Sequence, residues 1–306
     1  MTHSRPPLDK ATAARLMTLA TYAAVSVAVL LVSVKFVAWV MTDSVSLLST
    51  LVDSLLDFAA SMVNLLAVRH ALQPADTEHR FGHGKAESLA GLAQAAFISG
   101  SAVFLLLQAG ERLYNPSAIS NTGIGYAVMV FSIVATMALV LFQKSVVKRT
   151  GSVAISADSA HYTMDILVNI SVIVSLFLST RLGWSMADPL FAIAISFYIL
   201  YGAYGIGVEA YHILMDRELS DDDRAKIGEL AKSHPQVISF HDLRTRHSGQ
   251  DVFIQLHLEM DGDLSLREAH EIAEVIMKKI QNDFPNAEVL IHQDPAGVDE
   301  QRAFED

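Results

Sequence analysis

The sequence predicts a membrane protein in two parts: an all-α transmembrane domain of six helices over residues 1–215 and a cytoplasmic α+β domain of order α-β-β-α-β over residues 216–306. Three observations predict it. Hydrophobic residues make up 52% of the 306-residue chain and its mean hydropathy is +0.35, beyond what a soluble core needs. Apolar stretches long enough to cross a bilayer, about 20 residues each, recur six times and then stop. The rest of the chain alternates apolar and polar residues as half-buried strands do, and it holds the whole net charge of −11.

Taken in order, the apolar stretches lie near residues 16–41, 45–68, 87–114, 124–147, 153–180 and 186–215. The first is too long for a secretory leader, lacks a clear small-residue cleavage site and leads straight into a second apolar segment, so it reads as a span. Asn115-Pro116 and Trp184 punctuate the outer connections, as turn and interface residues do. Gly202, Gly205 and Gly207 suggest close helix packing in the last span. Lys35, near the outer end of the first, reads as a lysine whose stem snorkels to the interface. In the tail, Ser220 with Asp223 and Ser265 with Glu268 are capping-box signatures that open two helices. The second helix carries Ala269, Ile272, Ala273, Ile276 and Ile280 on one stripe. Between the helices, Val252, Ile254, Leu256, Leu258 and Met260 alternate with Phe253, Gln255, His257 and Glu259, a strand with one buried face. An earlier strand runs near 237–246 and ends at Ser248-Gly249; a last one runs near 287–293.

Charge gives orientation and excludes partners. Lys10, Arg15, Arg69, Arg80, Lys85, Lys144, Lys148 and Arg149 fall on one side of the six spans, and only Arg112 and Arg181 on the other, which predicts both termini and the tail in the cytoplasm. Of 33 acids and 22 bases, 21 and 10 lie from Asp216 onward. So acidic a tail disfavours nucleic acid or anionic lipid as its partner and favours a cation. The chain has no cysteine, which removes disulfides, thiolate ligands and cysteine nucleophiles and leaves His, Asp and Glu as the strong metal ligands.

Those ligand types cluster within the spans. Asp53 and Asp57 are four apart and share a helical face; His161 and Asp165 do the same in the fifth span, with Asn169 one turn further on. Two Asp from one helix, and a His and an Asp from the other, make a four-ligand set suited to tetrahedral Zn2+. Interhelical glue is the plain alternative, but an acid at the bilayer centre costs about 2.5–3.5 kcal/mol and an intramembrane hydrogen bond returns about 0.6 kcal/mol. A proton relay without metal also uses such residues. Asp158, near the start of its helix, reads as a residue that favours the helix dipole. Each metal ligand must be deprotonated to bind, so protons and metal compete for one site and antiport is the expected exchange. An intramembrane metalloenzyme would need an open metal position and a base, and the quartet leaves no position open. A metal sensor with the membrane part as anchor would not need buried acids.

Two further clusters carry the same chemistry. The connection after the second span places Asp76, His79 and His83 within eight residues, with Glu78 as an alternative to Asp76; a solvated loop without metal is the competing reading. In the tail, His241, His257, His270, His292 and Asp294 come from three strands and a helix, and convergence of their faces would build a centre with imidazole and carboxylate ligands. His234 and His247 fall in turn-like segments and read as unliganded.

Six spans, the quartet Asp53, Asp57, His161 and Asp165, the run His83-Gly84-Lys85-Ala86-Glu87 and the tail run His292-Gln293-Asp294-Pro295 together resemble the cation diffusion facilitator family over nearly the whole chain. The resemblance implies a homodimeric Zn2+/H+ antiporter of the bacterial inner membrane, embedded in membrane lipid and exporting Zn2+, with Cd2+, Fe2+ and Co2+ as alternative substrates, and no enzyme activity. The quartet is the pattern of members selective for Zn2+ and Cd2+; an Asp in place of the His goes with Mn2+. The resemblance also implies a loop metal at Asp76, His79 and His83. In the tail it implies a metallochaperone-like fold that dimerises and carries a binuclear centre of His241, His257, His292 and Asp294, with His270 and Gln293 at or beside it. It implies, finally, that Lys85 and Asp216 form charge interlocks at the membrane surface of the dimer.

Overall fold

Runs of apolar residues far longer than a soluble helix needs give six helices, α1 (Lys10–Thr42), α2 (Val45–Ala71), α3 (Lys85–Tyr114), α4 (Gly123–Thr150), α5 (Val153–Leu182) and α6 (Ala187–Leu214). The computed structural model describes residues 9–43, 45–114, 123–182 and 186–298. Asn115-Pro116 and Trp184 lie outside the described residues, as do the side chains of Arg112 and Arg181. Among the described residues, α1, α2, α3, α4 and α6 are long and apolar enough to cross a membrane; α5 is 30 residues long and carries Asp158, His161 and Asp165.

At 1.5 Å rise per residue, a 33-residue helix such as α1 is about 50 Å long and overruns a hydrocarbon layer of about 30 Å. That is why α1 starts six residues before its apolar stretch: Asp9 caps it, accepting from the backbone N–H groups of Ala11 and Thr12 at 2.9 and 3.1 Å. The bundle is inverted relative to a soluble protein. Phe104, Leu107, Phe197 and Tyr201 point outward at 63, 68, 60 and 80% exposure, while Ala13, Ala20, Ala24 and Ala28 line the inner face of α1, since small residues let helices approach closely where lipid supplies no hydrophobic drive. α3 packs most extensively on α6, α1 on α2, and α4 on α5. A Cβ on Gly207 would lie 3.7 Å from Ala95 across the α3–α6 contact, an ordinary separation, and one at Gly202 or Gly205 would meet nothing within 4 Å, so close packing requires none of the three glycines.

The tail folds as α7 (Asp221–Ala231), β1 (Val237–Ser248), β2 (Asp251–Met260), α8 (Leu266–Asp283) and β3 (Ala287–Pro295). Ser220 accepts from Asp223 N–H to start α7, and Ser265 with Glu268 makes a full capping box at α8. The strands form one sheet in the order β1-β2-β3, with β1 antiparallel and β3 parallel to β2. Ile254, Leu256 and Leu258 of β2 bury one face against Ile272, Ile276 and Ile280 of α8 and Ile227 of α7. The other face is thereby left to the polar residues. His247 lies within β1, opposite Val252, and not in a turn; burial lowers its proton affinity, with Asp223 opposing.

The tail docks on the helices at one place. Between β1 and β2, Gly249 turns the chain at φ +60 and presses on the α2–α3 connection, where a Cβ on Gly84 would lie 2.2 Å from the Ser248 carbonyl oxygen. Only glycine permits that backbone approach. Around it, Lys85 Nζ lies 2.9 Å from Asp216 Oδ1, Arg246 reaches the same oxygen at 3.2 Å, and Gln250 donates to the Thr150 carbonyl at 2.9 Å. The Arg246 guanidinium also lies 4.9 Å from the Phe81 ring centre and 4.6 Å from that of Phe253.

Candidate metal centres

Among the described residues, three groups of His and Asp offer ligand atoms within 4.8 Å of one another, and they fall in the bundle, in the α2–α3 connection and on the tail sheet.

In the bundle, α2 lies against α5 and brings Asp57, His161 and Asp165 together. His161 Nε2 is 2.9 Å from Asp57 Oδ1 and 3.9 Å from Asp165 Oδ2. Donors sharing a tetrahedral ion at about 2.1 Å sit about 3.4 Å apart, so these separations bracket what one ion requires. His161 is buried, its Nδ1 has no hydrogen-bond partner, and its ring centre lies 5.7 Å from that of Phe97 and 5.6 Å from that of Tyr162. Asp53 stands one turn along α2, exposed and outside the converging group. Asn169 turns back to donate to the Asp165 carbonyl of its own helix at 2.8 Å.

Two charged residues here, buried Asp158 and half-buried Lys35, differ from the sequence-based expectation. Asp158 is fully enclosed: Gln143 Nε2 of α4 donates to it at 2.6 Å and Ser61 Oγ of α2 at 3.4 Å, and Ser61 also bonds Tyr162 at 2.7 Å. It ties three helices and is more than a dipole partner. Lys35 does not snorkel. Its ammonium donates to Ser54 Oγ at 2.6 Å and to the Thr50 carbonyl at 3.2 Å, inside the α1–α2 contact. The signal that could have revealed it is that a helical side chain leans toward its own N-terminus, here away from the near end of α1.

In the α2–α3 connection, Asp76 Oδ1 accepts from the N–H groups of Glu78 and His79 at 2.9 and 2.7 Å. The His79 N–H bond, aided by that of Glu78 and by the two imidazoles, holds the carboxyl below its ordinary range despite an opposing desolvation, so it is a ready anion. His83 Nε2 lies 3.3 Å from Asp76 Oδ2 and His79 Nδ1 3.5 Å from Oδ1. Glu78 is not in the group. The sequence reading passed over His70, whose ring is 4.6 Å from that of His83.

On the tail sheet, register does the work. His241, His257 and His292 are direct partners across β1, β2 and β3, and strand alternation then puts Asp294, two residues past His292, on their face. His257 Nδ1 is 2.8 Å and His241 Nε2 3.5 Å from Asp294 Oδ2, and His292 Nε2 is 3.1 Å from Oδ1. Glu259, paired with Asp294 in register, lies 3.6 Å from His241 Nδ1; the alternation that singled out His257 also marked Glu259, two residues on. The converging group itself is His241, His257 and Asp294; His292 is 63% exposed at its rim, His270 is exposed on α8 and outside the group, and strand alternation turns Gln293 to the opposite face from Asp294.

Comparisons agree along the chain. A family model described as "Cation efflux transmembrane domain" matches residues 21–215, and one described as "Cation efflux protein, cytoplasmic domain" matches 219–296. Among curated proteins, a "Cation-efflux pump FieF" of Serratia proteamaculans is 52% identical over 93% of this chain and 95% of its own length. Its namesake from Shewanella oneidensis is 48% identical over 92% and 95%. Among solved structures, one titled "Metal-bound C-terminal domain of CzcD transporter from Thermotoga maritima" is 32% identical, covers 26% of this chain and 93% of its own, and has a TM-score of 0.25.

Proposed function

From the premise that the chain belongs to the cation efflux family, the cation diffusion facilitators, and is a metal-cation transporter of a bacterial membrane and no enzyme, we propose that it exports Zn2+ from the cytoplasm in exchange for protons. The observation that carries this reading is the convergence of Asp57, His161 and Asp165 from two helices on one point inside the bundle. Four apart on the same helix, Asp53 completes an Asp, Asp, His, Asp set when α2 shifts against α5. Metal enters a set of deprotonated ligands, and protons arriving from the other side displace it. Cd2+, Fe2+ and Co2+ are competing cargo for the same donors. In this reading the tail faces the cytoplasm, pairs two copies of the chain, and binds regulatory metal at His241, His257, His292 and Asp294, while Asp76, His79 and His83 hold a loop ion. His270 and Gln293 stand beside the tail centre, and Lys85 with Asp216 forms a charge interlock at the membrane surface.

The test is Zn2+ flux in proteoliposomes against an imposed pH gradient. Flux that follows the gradient and disappears in Asp57→Ala, with tail metal binding intact, supports the antiporter. Flux indifferent to the gradient removes proton coupling, and flux unchanged in Asp57→Ala removes the transport site.

A further inference from the structure

We propose that Lys35 is a built-in counter-cation of the transport carboxylates, loosening their hold on metal so that the ion can leave. This rests on the reading of Asp53, Asp57, His161 and Asp165 as the transport site.

A lysine seven residues from the end of a spanning helix reaches the headgroups if its stem extends that way. Lys35 does the opposite. Its ammonium spends two of its three donors on the Thr50 carbonyl and on Ser54 Oγ. Ser54 is 1% exposed, follows Asp53 directly and precedes Asp57 by less than one turn. The positive charge is therefore pinned on the acid-bearing stretch of α2, at the residue that follows Asp53 and within one turn of Asp57. In a medium of low effective dielectric, such a charge acts over several ångströms. Toward an arriving divalent cation it is repulsive; toward the vacated acids it is attractive. It thus makes the loaded state weaker and the empty state less costly, which an exporter needs if it is to release its cargo.

A residue that merely packs α1 on α2 and a residue that tunes the site differ in kinetics. In full-length protein reconstituted in proteoliposomes, Lys35→Gln should lower KM for Zn2+ about tenfold and lower kcat as well, because tighter binding slows release. Lys35→Arg, which keeps the charge, should stay near wild type. If Lys35→Gln inserts poorly, Lys35→Cys gives a second route, because the chain has no native cysteine. There, an ethylammonium methanethiosulfonate added after folding should return KM to the wild-type value, and a neutral methyl reagent should not. An unchanged or raised KM in Lys35→Gln, or equal effects of the two reagents, overturns the proposal. An Asp57→Ala control separates the two levels: surviving flux there sinks the transport site itself, whereas abolished flux with a normal KM in Lys35→Gln sinks only the role of Lys35.

Discussion

Single atoms decide several features of this chain. Gly84 is the sharpest: any Cβ there would stand 2.2 Å from the Ser248 carbonyl oxygen, so Gly84→Ala must push the β1–β2 turn off the α2–α3 connection. We expect a loss of about 1–3 kcal/mol, read as a lower Tm together with faster amide exchange at Gln250 and Asp251. Gly202→Ala, where a Cβ would meet nothing, should be neutral or slightly stabilising, since alanine is the better helix former. Asp216 adds a pH dependence to the same contact. Burial raises its proton affinity, but hydrogen bonds from Lys85 and Arg246 outweigh that and leave its carboxyl below the ordinary value. A lowered folded-state value stabilises above the ordinary pKa of about 3.9 and is lost as pH falls through the lowered one. Asp216→Asn should therefore lower Tm more at pH 7 than at pH 3, by less than about 1 kcal/mol because the pair is half exposed; an equal effect at both pH values would show that charge is not involved. At this scale residue type was legible and direction was not. The spacing of Asp57, His161 and Asp165 pointed to one face each, yet no spacing shows that Lys35 reaches Ser54 or that Gln143 meets Asp158.

Elements were the most legible level, because each has a period that burial enforces. The six apolar stretches mark hydrocarbon, so they undershoot helices that continue into water: α1 begins at Lys10 and α4 ends at Thr150. In the tail, alternation along β2 and the stripe on α8 predicted the faces that meet in the core. Register stayed hidden in the sequence because β1 carries an irregularity between His241 and Arg244, with Asp242 at φ 50. A bulge of this kind changes which residues face each other, and here it aligns His241 with His257 and His292. Capping was legible to the residue. Ser265→Ala removes one half of the box that Ser265 and Glu268 form at α8 and should cost about 1 kcal/mol, seen as roughly fivefold faster amide exchange in the first turn of that helix, with metal binding on the sheet unaffected. Unchanged exchange there would mean that tertiary packing on the sheet, and not the cap, holds the helix end.

Across the whole molecule, β1 joins two sites that the sequence presents as separate. Its start carries His241 at the sheet centre, and its end carries Arg246 and Ser248 at the contact with Phe81, Gly84 and Lys85. At about 3.3 Å per strand residue, the six paired steps on β2 that match His241 to Ser248 across the bulge span about 20 Å. Metal shared by the three strands would stiffen the sheet as a unit, and the far end of that unit rests on the connection between α2, which carries Asp53 and Asp57, and α3. Metal bound on the tail would then bias the arrangement of α2 and α3 if the docking contact is rigid, a coupling that is typically worth about 5- to 150-fold in affinity. The expected outcome is that replacing His241 and His292 together by Ala shifts the KM for Zn2+ flux by at least fivefold, and that in a Gly84→Ala background the same double replacement shifts it far less. Equal KM values with and without the two histidines would mean that the sheet centre and the bundle centre act independently. A shift undiminished in Gly84→Ala would route the coupling through a different contact, such as pairing of two tails.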